Sequence, residues 1–139
     1  MTRIRILIAD DHPVVREGLA AMLERQEDMQ VVGDAPDGAA AVAKAAETSP
    51  DVVLMDLRMP VMDGVEAMRA IAARQPSVRF IVLTTYDNDE YIFKGIEAGA
   101  RAYLLKDSPR EELFKAIRAV HRGESLIQPS VASKVLDRF

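Results

Sequence analysis

Five residues of this 139-residue chain stand where a protein could do chemistry. Asp10 and Asp11 close the apolar run Ile4-Arg5-Ile6-Leu7-Ile8-Ala9, and Asp56 closes Val52-Val53-Leu54-Met55. Thr84 closes Phe80-Ile81-Val82-Leu83, and Lys106 follows Tyr103-Leu104-Leu105. Each has an ordinary reading as a cap, a turn former, a strand residue or a solvated lysine. Placed together at the carboxyl ends of successive strands, they read as a site. Two unit negative charges ~4 Å apart repel by ~1–4 kcal/mol across surface-like dielectrics, so three converging carboxylates call for a cation. Oxygen ligands select a hard ion; Mg²⁺ accepts a few carboxylates, keeps several waters and leaves positions for a phosphate. A lysine and a hydroxyl opposite would grip the remaining phosphoryl oxygens. Asp56 stands alone on a central strand between the acid pair and Thr84/Lys106, which makes it the candidate nucleophile for an aspartyl-phosphate.

The elements that must position these residues follow a strict alternation. Strands are expected at 4–9, 30–33, 51–56, 80–84 and 102–105. Helices are expected at 14–26, with Pro13 in the first turn, and at 38–48, capped by Asp37. Three more are expected: one after Asp63 with Glu66 at N3, ending at Gln75, one after Asp87 with Glu90 at N3, ending at Gly99, and one after Ser108-Pro109-Arg110-Glu111, ending at Gly123. Five strands alternating with five helices call for a parallel sheet covered on both faces. In such a sheet, sites form outside the carboxyl ends of the strands where the crossovers diverge, so the placement of the five residues has a topological reason. Residues 124–139 fall outside the rhythm: 126–129 look extended, and a helix beginning at Ser130 reaches the last residue.

Composition bounds the function. The length suits one domain with its own core. With no Cys among the residues, disulfides, cysteine-ligated metals and thiol nucleophiles are excluded. A net charge of −4 argues against a stand-alone nucleic-acid binder. Setting the three site acids aside leaves 19 acidic against 18 basic residues, so most of the acid excess is the pocket. The run 6–9 stops short of the ~7–15 apolar residues of a signal peptide, and no window approaches the ~20 of a membrane span. The expectation is a cytoplasmic protein.

The series Asp10-Asp11, Asp56-Leu-Arg-Met-Pro-Val-Met-Asp-Gly64, Leu83-Thr84-Thr85 and Tyr103-Leu-Leu-Lys106 resembles the receiver domain of two-component response regulators, over residues 3 to about 123. Thr-Thr-Tyr-Asp-Asn-Asp-Glu-Tyr, Gly-Ala-Arg-Ala-Tyr-Leu-Leu-Lys-Asp-Ser and Arg-Gly-Glu-Ser-Leu-Ile-Gln-Pro-Ser resemble the NarL/FixJ subfamily, which joins a receiver to a LuxR-type helix-turn-helix. The resemblance implies a flavodoxin-like fold, α/β with a doubly wound five-stranded parallel sheet of order 2-1-3-4-5, with the receiver at 1–123 and a linker at 124–139 leading to an output domain. It implies Asp56 as phosphoacceptor for a sensor histidine kinase, and Mg²⁺ held by Asp11, Asp56 and the Arg58 main-chain carbonyl, with Asp10 acting through water. Lys106 would pair with the phosphoryl group, Thr84 would swing to hydrogen-bond it, and Tyr103 would follow inward. It further implies a signalling domain and not a turnover enzyme, homodimerisation on phosphorylation through the first and fifth helices, and DNA contact only through the output domain. Most receivers carry a cis-proline after the lysine. Here Asp107 takes that place, and a cis Lys106–Asp107 bond is nonetheless expected from the preserved Leu-Leu-Lys.

Three other readings compete. A haloacid-dehalogenase-type phosphohydrolase wants an acid two residues after its nucleophile, where this chain has Arg58. A flavodoxin-like mononucleotide binder wants a Gly- and hydroxyl-rich loop after the first strand, where Asp10-Asp11 would repel phosphate. A degenerate receiver kept as a phosphorylation-independent dimerisation module would have lost site positions, and every one is filled. His12 reads as a solvated loop residue. Met55, Met59 and Met62 read as packing and loop residues. All the aromatics lie in the second half, with Tyr91, Phe93, Tyr103 and Phe114 on what is the output face in many receivers.

Overall fold

The structure is a computed structural model that describes residues 2–85 and 88–127. Its elements run β1 (Ile4–Ala9), α1 (Pro13–Glu24), β2 (Met29–Ala35), α2 (Gly38–Thr48), β3 (Val52–Met55), α3 (Gly64–Arg74), β4 (Arg79–Thr84), α4 (Asp89–Glu97), β5 (Ala100–Leu105), α5 (Arg110–His121) and β6 (Leu126–Ile127). All pairings are parallel, and the order is β2-β1-β3-β4-β5-β6. The five-stranded 2-1-3-4-5 sheet expected from the resemblance is therefore present. The extended stretch after α5 adds a short sixth strand at its edge, where Ala102 pairs with Leu126 and Tyr103 with Ile127. The helix expected from Ser130 lies outside the described residues.

The period-two alternation of the strands divides the core. Ile6, Ile8, Leu54, Ile81, Leu83 and Leu104 face Leu23 of α1 and Leu113, Ile117 and Val120 of α5. Leu7, Ala9, Val53, Met55, Val82 and Tyr103 face Ala41 and Ala45 of α2, Met68 and Ile71 of α3, and Ile92 of α4. Burial on both faces explains why β3 reads as an unbroken apolar run. β1 sits at the divergence, with β2 on one side and β3 on the other, so the end of β1 opens into the crevice where sites form.

Caps settle the helix starts. Asp37 Oδ1 accepts from the Ala40 N–H at 2.8 Å, and Asp63 Oδ1 accepts from the Glu66 N–H at 2.9 Å. α4 differs from expectation: Asn88 is its cap, accepting from the Tyr91 N–H at 3.0 Å, one residue beyond the expected Asp87. Both side chains can accept, but only Asn88 stands one residue before the first helical turn. α5 starts at Arg110, with Pro109 at the cap position instead of N1. α1 and α4 each end two residues early, at Glu24 and Glu97, and α5 ends at His121; Gly99 and Gly123 turn the chain with φ of 110° and 90°.

Two glycines bring the loop between β3 and α3 against the site. A Cβ on Gly64 would lie 2.1 Å from the Asp56 carbonyl oxygen, and one on Gly38 would lie 2.1 Å from the Met62 carbonyl oxygen. Hydrogen bonds tie the same contacts: Gly64 N–H donates to the Leu57 carbonyl at 2.8 Å, and Gly38 N–H to the Met62 carbonyl at 3.0 Å. At the crown, Val61 is 83% exposed and held at φ 70°, a left-handed conformation costly for a β-branched residue. Met55 is core, and Met59 and Met62 pack against the same layer, which agrees with their reading as packing residues.

Candidate phosphoryl-transfer site

The strand ladder delivers the site residues to one edge. Asp10 N–H donates to the Ala35 carbonyl, Asp56 N–H to the Ala9 carbonyl and Lys106 N–H to the Thr84 carbonyl, at 3.0, 3.0 and 2.9 Å. These bonds continue the parallel pairing by a residue or two, so the side chains that follow emerge side by side. Asp10 and Asp56 are buried, at 2% and 3% exposure, and Thr84 is fully buried.

The geometry centres on Asp56. Its Oδ2 lies 2.9 Å from Lys106 Nζ, and its Oδ1 accepts a 2.8 Å hydrogen bond from Thr84 Oγ1. Lys106 Nζ also reaches Asp10 Oδ2 at 2.5 Å, so one ammonium serves two carboxylates. Burial is the strongest influence on all three groups. It pushes the Asp56 carboxyl up, aided by the Asp10 charge and only partly countered by Lys106 and Thr84. For Asp10, the Lys106 ammonium and the His12 backbone N–H together outweigh burial and hold it low. For Lys106, burial is outweighed by its hydrogen bonds to both acids, which raise it and keep it charged.

Asp10, Asp11, His12 and Asp56 each offer a ligand atom within 4.8 Å of the others. Asp11 Oδ1 is buried and accepts no hydrogen bond, although His12 Nδ1 lies 3.1 Å away. A buried carboxylate oxygen without a donor is costly, and a bound cation would satisfy it. The donor set fits a hard divalent ion. Asp11, Asp56, Arg58, Thr85 and Lys106 line a cavity of about 870 Å³ opening from the site between α3 and α4.

Every site residue expected at the sheet edge is there, and Arg58 lies in the loop that follows Asp56. Tyr103 is not at the pocket: it is fully buried on β5, packed in the α2–α4 layer beneath Gly95 of α4. The expected cis bond is corrected. No peptide among the described residues is cis, so Lys106–Asp107 is trans. Without proline a cis bond costs ~2.5–4 kcal/mol, and the trans chain already brings Nζ to Asp56. Two features escaped the sequence reading. Arg16, one turn into α1, donates from Nη1 to the Asp10 carbonyl at 2.8 Å and lies 3.4 Å from Asp34, bracing the acid pair. A basic residue in a helix six positions after an acid carries no such signal by itself. The second is the His12 ring, turned onto both acids.

Fold and site together define a doubly wound domain with a lysine- and hydroxyl-flanked carboxylate at an acidic edge that could hold a cation. Residues 6–118 match the response regulator receiver domain, and the chain belongs to that family. It is 50% identical over 136 residues to the transcriptional regulatory protein LiaR of Bacillus subtilis (strain 168), covering 98% of this chain and 64% of that protein. A two-component response regulator of the LuxR family from Aurantimonas sp. SI85-9A1 superposes with a TM-score of 0.91 at 36% identity, over 99% of this chain and 98% of that one. The signal receiver domain of the putative response regulator NarL from Mycobacterium tuberculosis gives 0.85 at 35% identity, over 89% and 100%. The chain thus spans less than two thirds of the length of the curated relatives it matches. No helix among the described residues is long and apolar enough to cross a membrane.

Proposed function

We propose that this chain is the phosphoacceptor module of a transcriptional response regulator. The carrying observation is that both oxygens of Asp56 already face the two donors a phosphoryl group would need, Lys106 Nζ and Thr84 Oγ1. An Asp56 carboxylate oxygen attacks the phosphorus of a phosphohistidine on a sensor histidine kinase. The new P–O bond forms as the P–N bond breaks, and the imidazole leaves. Asp11, Asp56 and the Arg58 main-chain carbonyl would hold Mg²⁺, with Asp10 acting through water, and the ion supplies neutralisation of the phosphoryl charge. Lys106 passes from the carboxylates to a phosphoryl oxygen, because the added group brings about −1.5 to −2 charge next to a fixed ammonium. Thr84 Oγ1 turns its hydrogen bond from Asp56 to the same group, and Tyr103 on the adjoining strand transmits the change to α4. The domain performs this chemistry on itself, phosphorylation and autodephosphorylation, and does not turn over a separate substrate.

The region 1–123 is the receiver, and 124–139 lead to a DNA-binding output domain. Phosphorylation favours a homodimer through α1 and α5, which pack side by side against one face of the sheet. Supporting this, Val14 of α1 is 80% exposed, and Phe114, Lys115 and Arg118 of α5 line a surface hollow of about 270 Å³. The setting is cytoplasmic, where the kinase's phosphohistidine is available. Incubation with acetyl phosphate and Mg²⁺ is expected to add ~80 Da to the intact mass, one phosphoryl group on Asp56. No adduct, or an adduct that survives Asp56→Asn, would overturn the assignment. A mass by light scattering that stays monomeric after phosphorylation would overturn the dimer.

A further inference from the structure

The sixth strand has no part in the chemistry just described, yet it lies against the residue that relays it. Leu126 pairs with Ala102 and Ile127 with Tyr103, in parallel register. Paired residues of neighbouring strands share a face. Ile127 therefore sits beside Tyr103 in the layer of α2, α3 and α4, while Leu126 joins the α1–α5 layer. Val82 pairs with Tyr103 from the other side, and Gly95 of α4 lies over the ring, where a Cβ would come within 3.3 Å of Cε2. β6 is the outermost strand, so Ile127 closes the side of the Tyr103 seat that faces the open edge of the sheet.

The approach to this strand is anchored by β4 and β5, the strands that carry Thr84 and Tyr103. Arg79 of β4 donates from Nη1 to the His121 carbonyl at 2.8 Å, and Arg101 of β5 donates to the Gly123 carbonyl at 3.3 Å. Gly123 turns the chain at φ 90°, and the Glu124 N–H donates to the Ala119 carbonyl at 3.0 Å. Beyond that anchor the strand is near balance. Hydrogen bonds in a two-residue ladder do little more than offset the backbone entropy lost in ordering it. The seats of Leu126 and Ile127, both half-buried, then decide whether β6 stays paired.

We propose that β6 and the inward seat of Tyr103 form one switch element: Ile127 keeps Tyr103 in, and Tyr103 keeps the strand paired. This rests on the reading of Asp56 as phosphoacceptor and of Thr84 and Tyr103 as the residues that respond. Phosphorylation draws Thr84 toward the phosphoryl group and favours the inward Tyr103, which completes the wall against which Ile127 packs. The backbone leaving the receiver is thereby tightened onto β5. The coupling is reciprocal, so a paired β6 favours the phosphorylated state in turn.

Amide hydrogen exchange, followed by NMR before and after acetyl phosphate and Mg²⁺, tests this, with intact mass reporting the adduct. Exchange over 124–127 is expected to slow at least about fivefold, the lower end of couplings between sites. Over β2, at the opposite edge of the sheet, it should change less than about twofold, since local opening is not shared by distant elements. In Ile127→Ala the affinity for beryllofluoride, an analogue of the bound phosphoryl group, should fall by the same factor of about five. Ile127→Val, which keeps a branched side chain in the seat, should restore most of it. Unchanged or faster exchange in 124–127 of a protein carrying the adduct would overturn the proposal and leave the phosphoacceptor reading standing. So would equal slowing in β2, or an unchanged beryllofluoride affinity in Ile127→Ala. Absence of any adduct would overturn both.

Discussion

Replacing Lys106 by Met tests the electrostatics of the site directly. The substitution keeps most of the aliphatic stem and removes the ammonium from between Asp10 Oδ2 and Asp56 Oδ2. The Lys106 side chain is 15% exposed and its partners 3% and 4%, so water cannot replace the lost charge. Removing one partner of such a buried arrangement costs about 3–5 kcal/mol, unlike a surface pair. At roughly 3 °C per kcal/mol for a chain of this size, Tm should fall by about 9–15 °C. The pH dependence has a definite sign. With Lys106 present, Asp10 is held below its usual 3.8 and contributes stability above that pH, lost as pH falls through its lowered value. Asp56 is raised above 3.8, so its ionisation costs stability as pH rises through its raised value. Without Lys106 both acids lie high. The deficit of Lys106→Met is then full at neutral pH and narrows as pH falls toward the unfolded carboxylate value. Urea unfolding followed by circular dichroism in chelator, at neutral and acidic pH, measures it. Adding Asp56→Asn should recover about 1 kcal/mol or more, since one of two facing charges is gone. A loss below about 1 kcal/mol, the surface-pair range, or a deficit that does not narrow on acidification would refute the reasoning.

Two further predictions concern the backbone around the site. Gly64→Ala places a Cβ 2.1 Å from the Asp56 carbonyl oxygen, and neither backbone can yield freely. It should destabilise by about 1–3 kcal/mol and slow acetyl-phosphate labelling. Gly18→Ala, whose Cβ meets nothing within 4 Å in the middle of α1, should instead gain up to about 1 kcal/mol; equal losses in both would sink the argument. Val61→Asn relieves a β-branched residue at φ 70° and, because Val61 is 83% exposed, removes little packing. Asn tolerates this conformation, so chemical denaturation should show a gain of about 1 kcal/mol; a loss would mean that the Val61 side chain supports the loop.

Much of this protein was legible in its residues. The alternation of apolar runs with capped helical stretches follows from two periodicities, near 2 and near 3.6, that backbone geometry imposes on any chain. The placement of Asp10, Asp11, Asp56, Thr84 and Lys106 at or directly after strand ends puts them at the carboxyl edge, and the structure brings them together. Strand order came from resemblance, because pairing between parallel strands joins residues far apart in the chain and leaves no local trace.

What only the tertiary structure decided is contact across those joins. The trans Lys106–Asp107 bond, the sixth strand beside Tyr103, and the choice of Asn88 over Asp87 as a cap depend on where each segment is held by its neighbours. The sharing of one ammonium between Asp10 and Asp56 is a property of no single residue. Nor is the unsatisfied oxygen of Asp11 or the inward turn of His12. Sequence determines which groups can ionise and which segments can form. Burial and the distances between those segments decide which charges oppose, which pair, and where a cation is needed.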